Sequence, residues 1–236
     1  MKIDLSKAYD RVSWLYIRML LTHLGFVIGF IRWFMSCITT VSFFVLINGA
    51  ASQLFHAERG LRQGCPLSPL LLLLVAEGLS RAILDAKGQG TLVGIHISWE
   101  LAITHLLFVD DVLIFCSGSM REAHTLAEIL RLFSKAIGME INAGKSFLTT
   151  HRLGARERLE YSRLFPFSPL TLDSGMSYLG FQLKSNKYMK RDWHWLLEKM
   201  EKRLKVWSHK WLSREGILVL VKAVLEAIPV YWMSLA

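Results

Sequence analysis

Asp110 and Asp111 stand side by side between two apolar runs, His105-Leu106-Leu107-Phe108-Val109 and Val112-Leu113-Ile114-Phe115-Cys116. The flanks are rich in β-formers and suit buried strands, while aspartate suits turns. The stretch therefore predicts a hairpin with both carboxylates at or beside its tip. Neighbouring carboxylates repel unless a cation lies between them, and hard divalent ions such as Mg²⁺ take oxygen ligands of this kind. A solvated Asp-Asp turn is the other reading, and on these residues alone both stay open.

The rest of the chain must supply the frame for such a tip. Its 236 residues suffice for one large domain or two small ones, and at 53% hydrophobic and 20% charged it is not a disordered tail. A formal charge of +9 makes a polyanion the natural partner class. Cys37, Cys65 and Cys116 are far apart and form no CxxC pair, which argues against a zinc site or a disulfide framework and fits a reducing compartment. An intracellular location, nucleus or cytoplasm, is the expectation. The sequence opens with a charged, strand-like segment in place of a secretory signal. The apolar run Leu70–Ala76 is short of the ~20 residues needed to span a bilayer, so it reads as a buried helix and no membrane partner is expected.

Taken in order, residues 1–5 read as a strand end carrying Asp4. Helical spacing follows at Val12, Leu15, Tyr16, Met19 and Leu20, with Asp10 as N-cap and Gly25 as stop. A second helix runs through Ile28, Ile31, Phe34 and Met35. Asn48-Gly49 is a hairpin signal between strands at 41–47 and around Leu54-Phe55. The loop Gly60-Leu61-Arg62-Gln63-Gly64-Cys65-Pro66 enters an apolar helix over about 68–86. Short strands at 93–97 and 101–103 lead into the central hairpin. An amphipathic helix over 121–137 buries Ala123, Leu126, Ile129, Leu130 and Phe133 and is closed by Gly138. Strands at 139–141 and 147–149 flank the turn Asn142-Ala143-Gly144-Lys145. Residues 165–169 form a proline-marked connector, and 178–183 a short strand element broken by glycine. Beyond about Asn186 the chain turns helical. Trp193, Leu197, Met200, Leu204, Trp207 and Trp211 lie on one face, Lys199, Lys202, Arg203, Lys205 and Lys210 lie elsewhere, and Ser213 caps a further helix that kinks near Pro229.

Five segments occur in a recognisable order. These are Lys2-Ile3-Asp4-Leu5-Ser6-Lys7-Ala8-Tyr9-Asp10, Arg62-Gln63-Gly64-Cys65-Pro66-Leu67-Ser68-Pro69, Phe108-Val109-Asp110-Asp111, Gly138-Met139-Glu140-Ile141-Asn142 with Lys145-Ser146, and Tyr178-Leu179-Gly180. Together they resemble motifs A to E of reverse transcriptases, most closely the non-LTR (LINE-type) retrotransposon enzymes abundant in plant genomes. The resemblance implies an α+β fold. A palm with residual fingers elements, an antiparallel sheet with packed helices, would occupy residues 1–186, and a partial helical thumb residues 187–236. It also implies an RNA-directed DNA polymerase working with Mg²⁺ or Mn²⁺, with an RNA template, a DNA primer and dNTPs as partners, and a larger retrotransposon polyprotein as parent.

Residue by residue, the resemblance implies that Asp4, Asp110 and Asp111 hold the metals. In-line nucleotidyl transfer uses two divalent ions about 3.5–4 Å apart, one at the primer 3′-hydroxyl and one at the triphosphate. Tyr9 matches the aromatic gate against a 2′-hydroxyl, with an ordinary core tyrosine as its alternative. Gln63 and Gly64 match the segment along the incoming nucleotide, or else form a solvated loop. Lys145 matches the proton donor to the departing pyrophosphate, or else is a surface lysine. Tyr178, Leu179 and Gly180 match the primer grip, or else a plain edge strand. Asp10 is explained by helix capping and is left out of the catalytic set. The tryptophan stripe reads as thumb packing, and the basic face beside it as a track for phosphates or else a solvated charged face.

Two departures stand out. Val109 occupies a position where near relatives usually carry alanine. Only three residues precede Asp4, so the family's upstream fingers segments and its endonuclease domain are not in this sequence, which reads as an N-terminally truncated fragment. A catalytically inactive remnant that binds nucleic acid, and a fragment with no stable fold, remain the rival readings.

Overall fold

The computed structural model describes all residues except 109–110, 152, 180, 209–211 and 234–236. The described chain divides into two compact units, Met1–Leu170 and Thr171–Ala236. The division falls ahead of Asn186, so the hairpin carrying Tyr178 belongs to the second unit.

In the first unit, strand β1 (Lys2–Ser6) lies at the centre of a six-stranded sheet with β2 (His105–Phe108), β3 (Asp111–Ile114), β4 (Glu140–Ile141), β5 (Phe147–Leu148) and β6 (Ser168–Pro169). The order is β6-β5-β1-β3-β2, and β4 pairs with β1 along the same edge as β5. Every pairing is antiparallel except β5 with β6. The expected antiparallel sheet is present, with one parallel pair at its margin.

Alternation along β1 explains its place. Ile3 and Leu5 are buried, whereas Lys2, Asp4 and Ser6 are half-exposed, so side chains two apart share a face and only one face meets the core. That core gathers Ile3, Leu5, Val112 and Ile114 with residues of two long helices, α3 (Leu67–Gly88) and α4 (Met120–Ile137). The helix α1 (Trp14–His23) packs on α3 and on α2 (Ile28–Thr39). Among the described residues α3 is the one helix long and apolar enough to cross a membrane. One of its sides, carrying Leu71, Leu72, Val75, Leu79 and Ile83, is buried in this core. Side chains anchor the central hairpin and the short strand before it to α3: Ser80 Oγ lies 2.9 Å from His105 Nε2, and Lys87 Nζ donates to the carbonyl of Ala102 at 2.7 Å.

The amphipathic face expected over 121–137 is buried at Ala123, Leu126, Leu130 and Phe133, and Glu122 is buried with them. Its carboxylate accepts from the backbone N–H groups of Val93, Gly94 and Ser117 and from the Ser117 hydroxyl. Burial opposes ionisation of Glu122, but these hydrogen bonds outweigh it and hold the group below its usual pKa. Asn48 adopts the left-handed conformation at the turn between Leu46–Ile47 and Ala50–Ala51, as the Asn-Gly signal predicts. The expected longer strands are instead two short pairs, with Ser42–Phe43 against Phe55–His56 completing the hairpin.

Two elements depart from expectation. Helix α5 (Ala155–Leu164) is unforeseen; it is polar, buries only Tyr161, and is anchored by the Tyr161 hydroxyl donating to the Ser119 carbonyl at 3.0 Å. In the second unit the 178–183 element is a hairpin of Met176–Tyr178 and Phe181–Leu183, with Tyr178 paired to Phe181. In the following helix α6 (His194–Ser208), Leu197 and Leu204 of the predicted stripe are exposed while Leu196 is buried; Trp211 lies outside the described residues. Ser213 caps α7 (Arg214–Leu220), accepting from Gly216 N–H at 3.1 Å. The expected kink takes the form of a π-helical turn at Val221–Leu225. Proline at 229 cannot donate to the carbonyl four residues earlier, and the helix widens in the turn before it.

Candidate active site

Asp4 stands directly opposite Asp111 across the β1–β3 ladder. Both face away from the core, and directly opposed like charges in a sheet are unfavourable without a neutralising partner. The described partner is Lys2, whose Nζ lies 3.0 Å from Asp111 Oδ1. Lys2 pairs in register with Leu113, so it reaches Asp111 diagonally along the face it shares with Asp4.

The backbone of Asp4 is held from the other side. Its N–H donates to Ser146 Oγ at 3.1 Å, and its carbonyl accepts from Asn142 N–H at 2.9 Å. Both partners belong to the turn between β4 and β5, where the Asn142 carbonyl also accepts from the N–H groups of Lys145 at 3.1 Å and Ser146 at 2.9 Å. Ser146 is fully buried and Lys145 is exposed. Ser146 stands in the fourth motif segment, but the sequence assigns it no role. Its signal was present, as the hydroxyl neighbour of Lys145 in the same short turn. Asp110 lies outside the described residues, as do Val109 and Gly180.

After β1 the chain makes a single helical turn, Ala8–Arg11. The N-cap of α1 is Ser13, whose hydroxyl accepts from Tyr16 N–H, so Asp10 is not the cap expected of it. The carboxylate of Asp10 instead accepts from Gln63 Nε2 at 3.2 Å. The Gly60–Leu61 backbone is stitched to this turn: Gly60 N–H donates to Val12 O at 2.8 Å, Leu61 N–H to Tyr9 O at 2.6 Å, and Trp14 Nε1 to Gly60 O at 2.7 Å. A Cβ on Gly60 would stand 2.6 Å from the Asp10 carbonyl oxygen, and its φ is +87°. Glycine is required there by both contact and conformation.

This stitching brings Tyr9, Gln63 and Gly64 together around a cleft of about 510 Å³, with Cys65, Pro66 and Pro69 completing the wall. Gly64 has φ +85° and nothing within 4 Å of where a Cβ would be, so the backbone lies open to close approach. A hydrogen bond from Leu67 N–H lowers the pKa of the Cys65 thiol, whereas burial, with Glu122 nearby, pushes Cys116 up to about 11. In the second unit, Leu179 at the hairpin turn adopts φ +49°, a left-handed conformation rarely taken by leucine.

Among the described residues no three His, Cys, Asp or Glu side chains converge as a metal group. The two opposed carboxylates nonetheless fit a hard divalent ion. Mg²⁺ is commonly held by one or two carboxylates with the remaining positions left to water and substrate phosphate.

The family model for reverse transcriptase (RNA-dependent DNA polymerase) matches residues 1–183. An uncharacterized mitochondrial protein of Arabidopsis thaliana is 51% identical over 67 residues, covering 28% of this chain and 55% of that protein. The Pol polyprotein of the type-1 retrotransposable element R2 of Popillia japonica is 30% identical over 145 residues, covering 61% of this chain and 20% of the polyprotein. That of the type-2 element R2DM of Drosophila melanogaster is 31% identical over 145 residues, again 61% of this chain but 13% of the polyprotein. The chain thus spans about half of the first relative and a fifth or less of the other two.

Proposed function

The chain belongs to the reverse transcriptase family, with non-LTR retrotransposon polyproteins among its relatives, and from that premise we propose that it carries the polymerase centre of such a polyprotein. The reaction is transfer of a deoxynucleotide from a dNTP to a primer 3′-hydroxyl on an RNA template. The observation that carries this reading is the register that sets Asp4 opposite Asp111. The cleft lined by Tyr9, Gln63 and Gly64 supports it.

The family generally uses divalent ions such as Mg²⁺. Asp4, Asp110 and Asp111 would hold Mg²⁺ or Mn²⁺, which when bound lowers the pKa of the attacking hydroxyl and neutralises charge on the phosphates. Ser146 and Asn142 keep the Asp4 backbone fixed, so its carboxylate needs little reorganisation. Tyr9 presses against the sugar and excludes a 2′-hydroxyl. Gln63, held by Asp10, and Gly64, with its open backbone, shape the nucleotide pocket. Lys145, an exposed ammonium on the turn that binds Asp4, supplies a proton to the departing pyrophosphate. Tyr178, Leu179 and Gly180 act as primer grip. Residues 1–186 serve as palm with residual fingers elements, and 187–236 as a partial thumb whose basic side chains follow the phosphates of the duplex, a contact weakened by salt.

Primer extension on an RNA template with dNTPs and Mg²⁺ or Mn²⁺ tests the reading, beside Asp110→Asn/Asp111→Asn. Extension by the wild type alone is expected. A folded protein that binds primer–template without extending it would instead be the inactive remnant.

A further inference from the structure

Lys2 is the cation described in contact with Asp111, one of the two opposed carboxylates. Its side chain is 15% exposed and that of Asp111 23%, so the pair is largely withdrawn from water. Lys2, Asp4 and Asp111 share one face of two adjacent strands. A divalent ion drawn to the carboxylates therefore meets an ammonium already bound to one of them.

We propose that Lys2 is an internal counter-ion of the site, a positioning residue that holds Asp111 while no divalent ion is bound and lowers the affinity of the carboxylates for free metal. The proposal rests on the reading that Asp4 and Asp111 receive divalent ions. It adds that the chain keeps this affinity low through its own positive charge, so that metal is retained well only when nucleotide phosphates bring further ligands. Groups touching a metal ligand commonly change metal affinity by about ten- to hundredfold when replaced. Here the sign is the informative quantity: a residue that only orients a ligand loses affinity on removal, while a competing cation gains it.

The test uses the full chain and Mn²⁺ alone, without nucleotide, with free Mn²⁺ followed by electron paramagnetic resonance. Lys2→Met is expected to bind Mn²⁺ at least about tenfold more tightly than wild type, and Lys2→Arg, which keeps the charge, to stay near wild type. Asp4→Asn in the Lys2→Met background is expected to remove the gain, locating it at this site. Thermal unfolding gives a second readout, with Mn²⁺ raising the melting temperature of Lys2→Met more than that of wild type. Should Lys2→Met fail to fold, Lys2→Gln carries the same comparison. Unchanged or weaker Mn²⁺ binding in the charge-removed variant overturns the counter-ion role, even where primer extension succeeds. Failure of the polymerase reading shows separately, as absent extension by a protein whose Mn²⁺ affinity still follows the charge at Lys2.

Discussion

The hydroxyl of Ser146, fully buried, accepts the backbone N–H of Asp4 at 3.1 Å from 142 residues away in the chain. This bond joins the central strand to the turn that bears Lys145, so two residues proposed to act at opposite ends of the reaction share one rigid connection. Ser146→Ala leaves that N–H without its acceptor, which costs about 1–3 kcal/mol. Urea unfolding is expected to show this loss, and primer extension to fall further than stability explains. Ser146→Thr, which retains the hydroxyl, is expected to recover part of both.

Gly60 and Gly64 both have positive φ but differ in their surroundings. Gly60→Ala drives a Cβ into the Asp10 carbonyl, 2.6 Å away, and is expected to cost about 2–3 kcal/mol through clash and conformation together. Gly64→Ala meets no atom within 4 Å, so only the left-handed conformation is penalised, by about 1–2 kcal/mol. Its larger expected effect is a raised KM for dNTP. Equal destabilisation by the two substitutions would contradict this distinction.

The Gln63–Asp10 hydrogen bond is exposed, so its loss changes stability by less than about 0.5 kcal/mol. Asp10→Ala is nevertheless expected to raise KM for dNTP severalfold by freeing Gln63. Steady-state kinetics with unchanged thermal stability would separate this from a folding defect.

Alkylation with iodoacetamide at pH 8 is expected to label Cys65 well before Cys116. The first thiol is lowered by a backbone hydrogen bond and the second raised to about 11 by burial. Cys65 also lines the cleft with Tyr9 and Gln63, so dNTP with Mg²⁺ is expected to slow its labelling and leave Cys116 unaffected. Peptide mass spectrometry reads both sites, and protection of neither would move the nucleotide out of this cleft.

Glu122 has a folded pKa below its unfolded value, so it binds fewer protons in the native state between the two. Its stabilisation is present above the unfolded value of about 4.3 and disappears as pH falls through the folded one. Glu122→Gln removes an acceptor of the Ser117 bonds and is expected to cost about 2–3 kcal/mol at pH 7. The gap between variant and wild type should narrow on acidification, as read by urea unfolding at pH 7 and in a series below pH 4.

Local pattern was legible wherever one side of an element meets the core. The alternation through Lys2, Ile3, Asp4 and Leu5, the strand that starts at Asp111, the buried stripe at Ala123, Leu126 and Leu130, and the Asn48-Gly49 turn all follow from periodicity and turn chemistry. Helix α5 escaped because it buries little beyond Tyr161. What supports it is local, namely Gly154 N–H to Glu157 Oε2 at 3.0 Å and an Arg156–Glu160 pair at 3.5 Å. Asp10 was misassigned because aspartate suits an N-cap in any sequence, whereas Ser13 holds that place and Gln63 claims the carboxylate.

By itself the sequence determined which residues could do chemistry, the order in which they occur and the faces on which most of them lie, since these depend on side-chain type and a period of two or 3.6. Only the tertiary structure decided their partners: Asp4 with Asp111 and Ser146, Lys2 with Asp111, Gln63 with Asp10. Such pairings depend on the register between distant strands and on loops closing across the chain, and a register shift of one residue would turn Asp111 to the opposite face from Asp4.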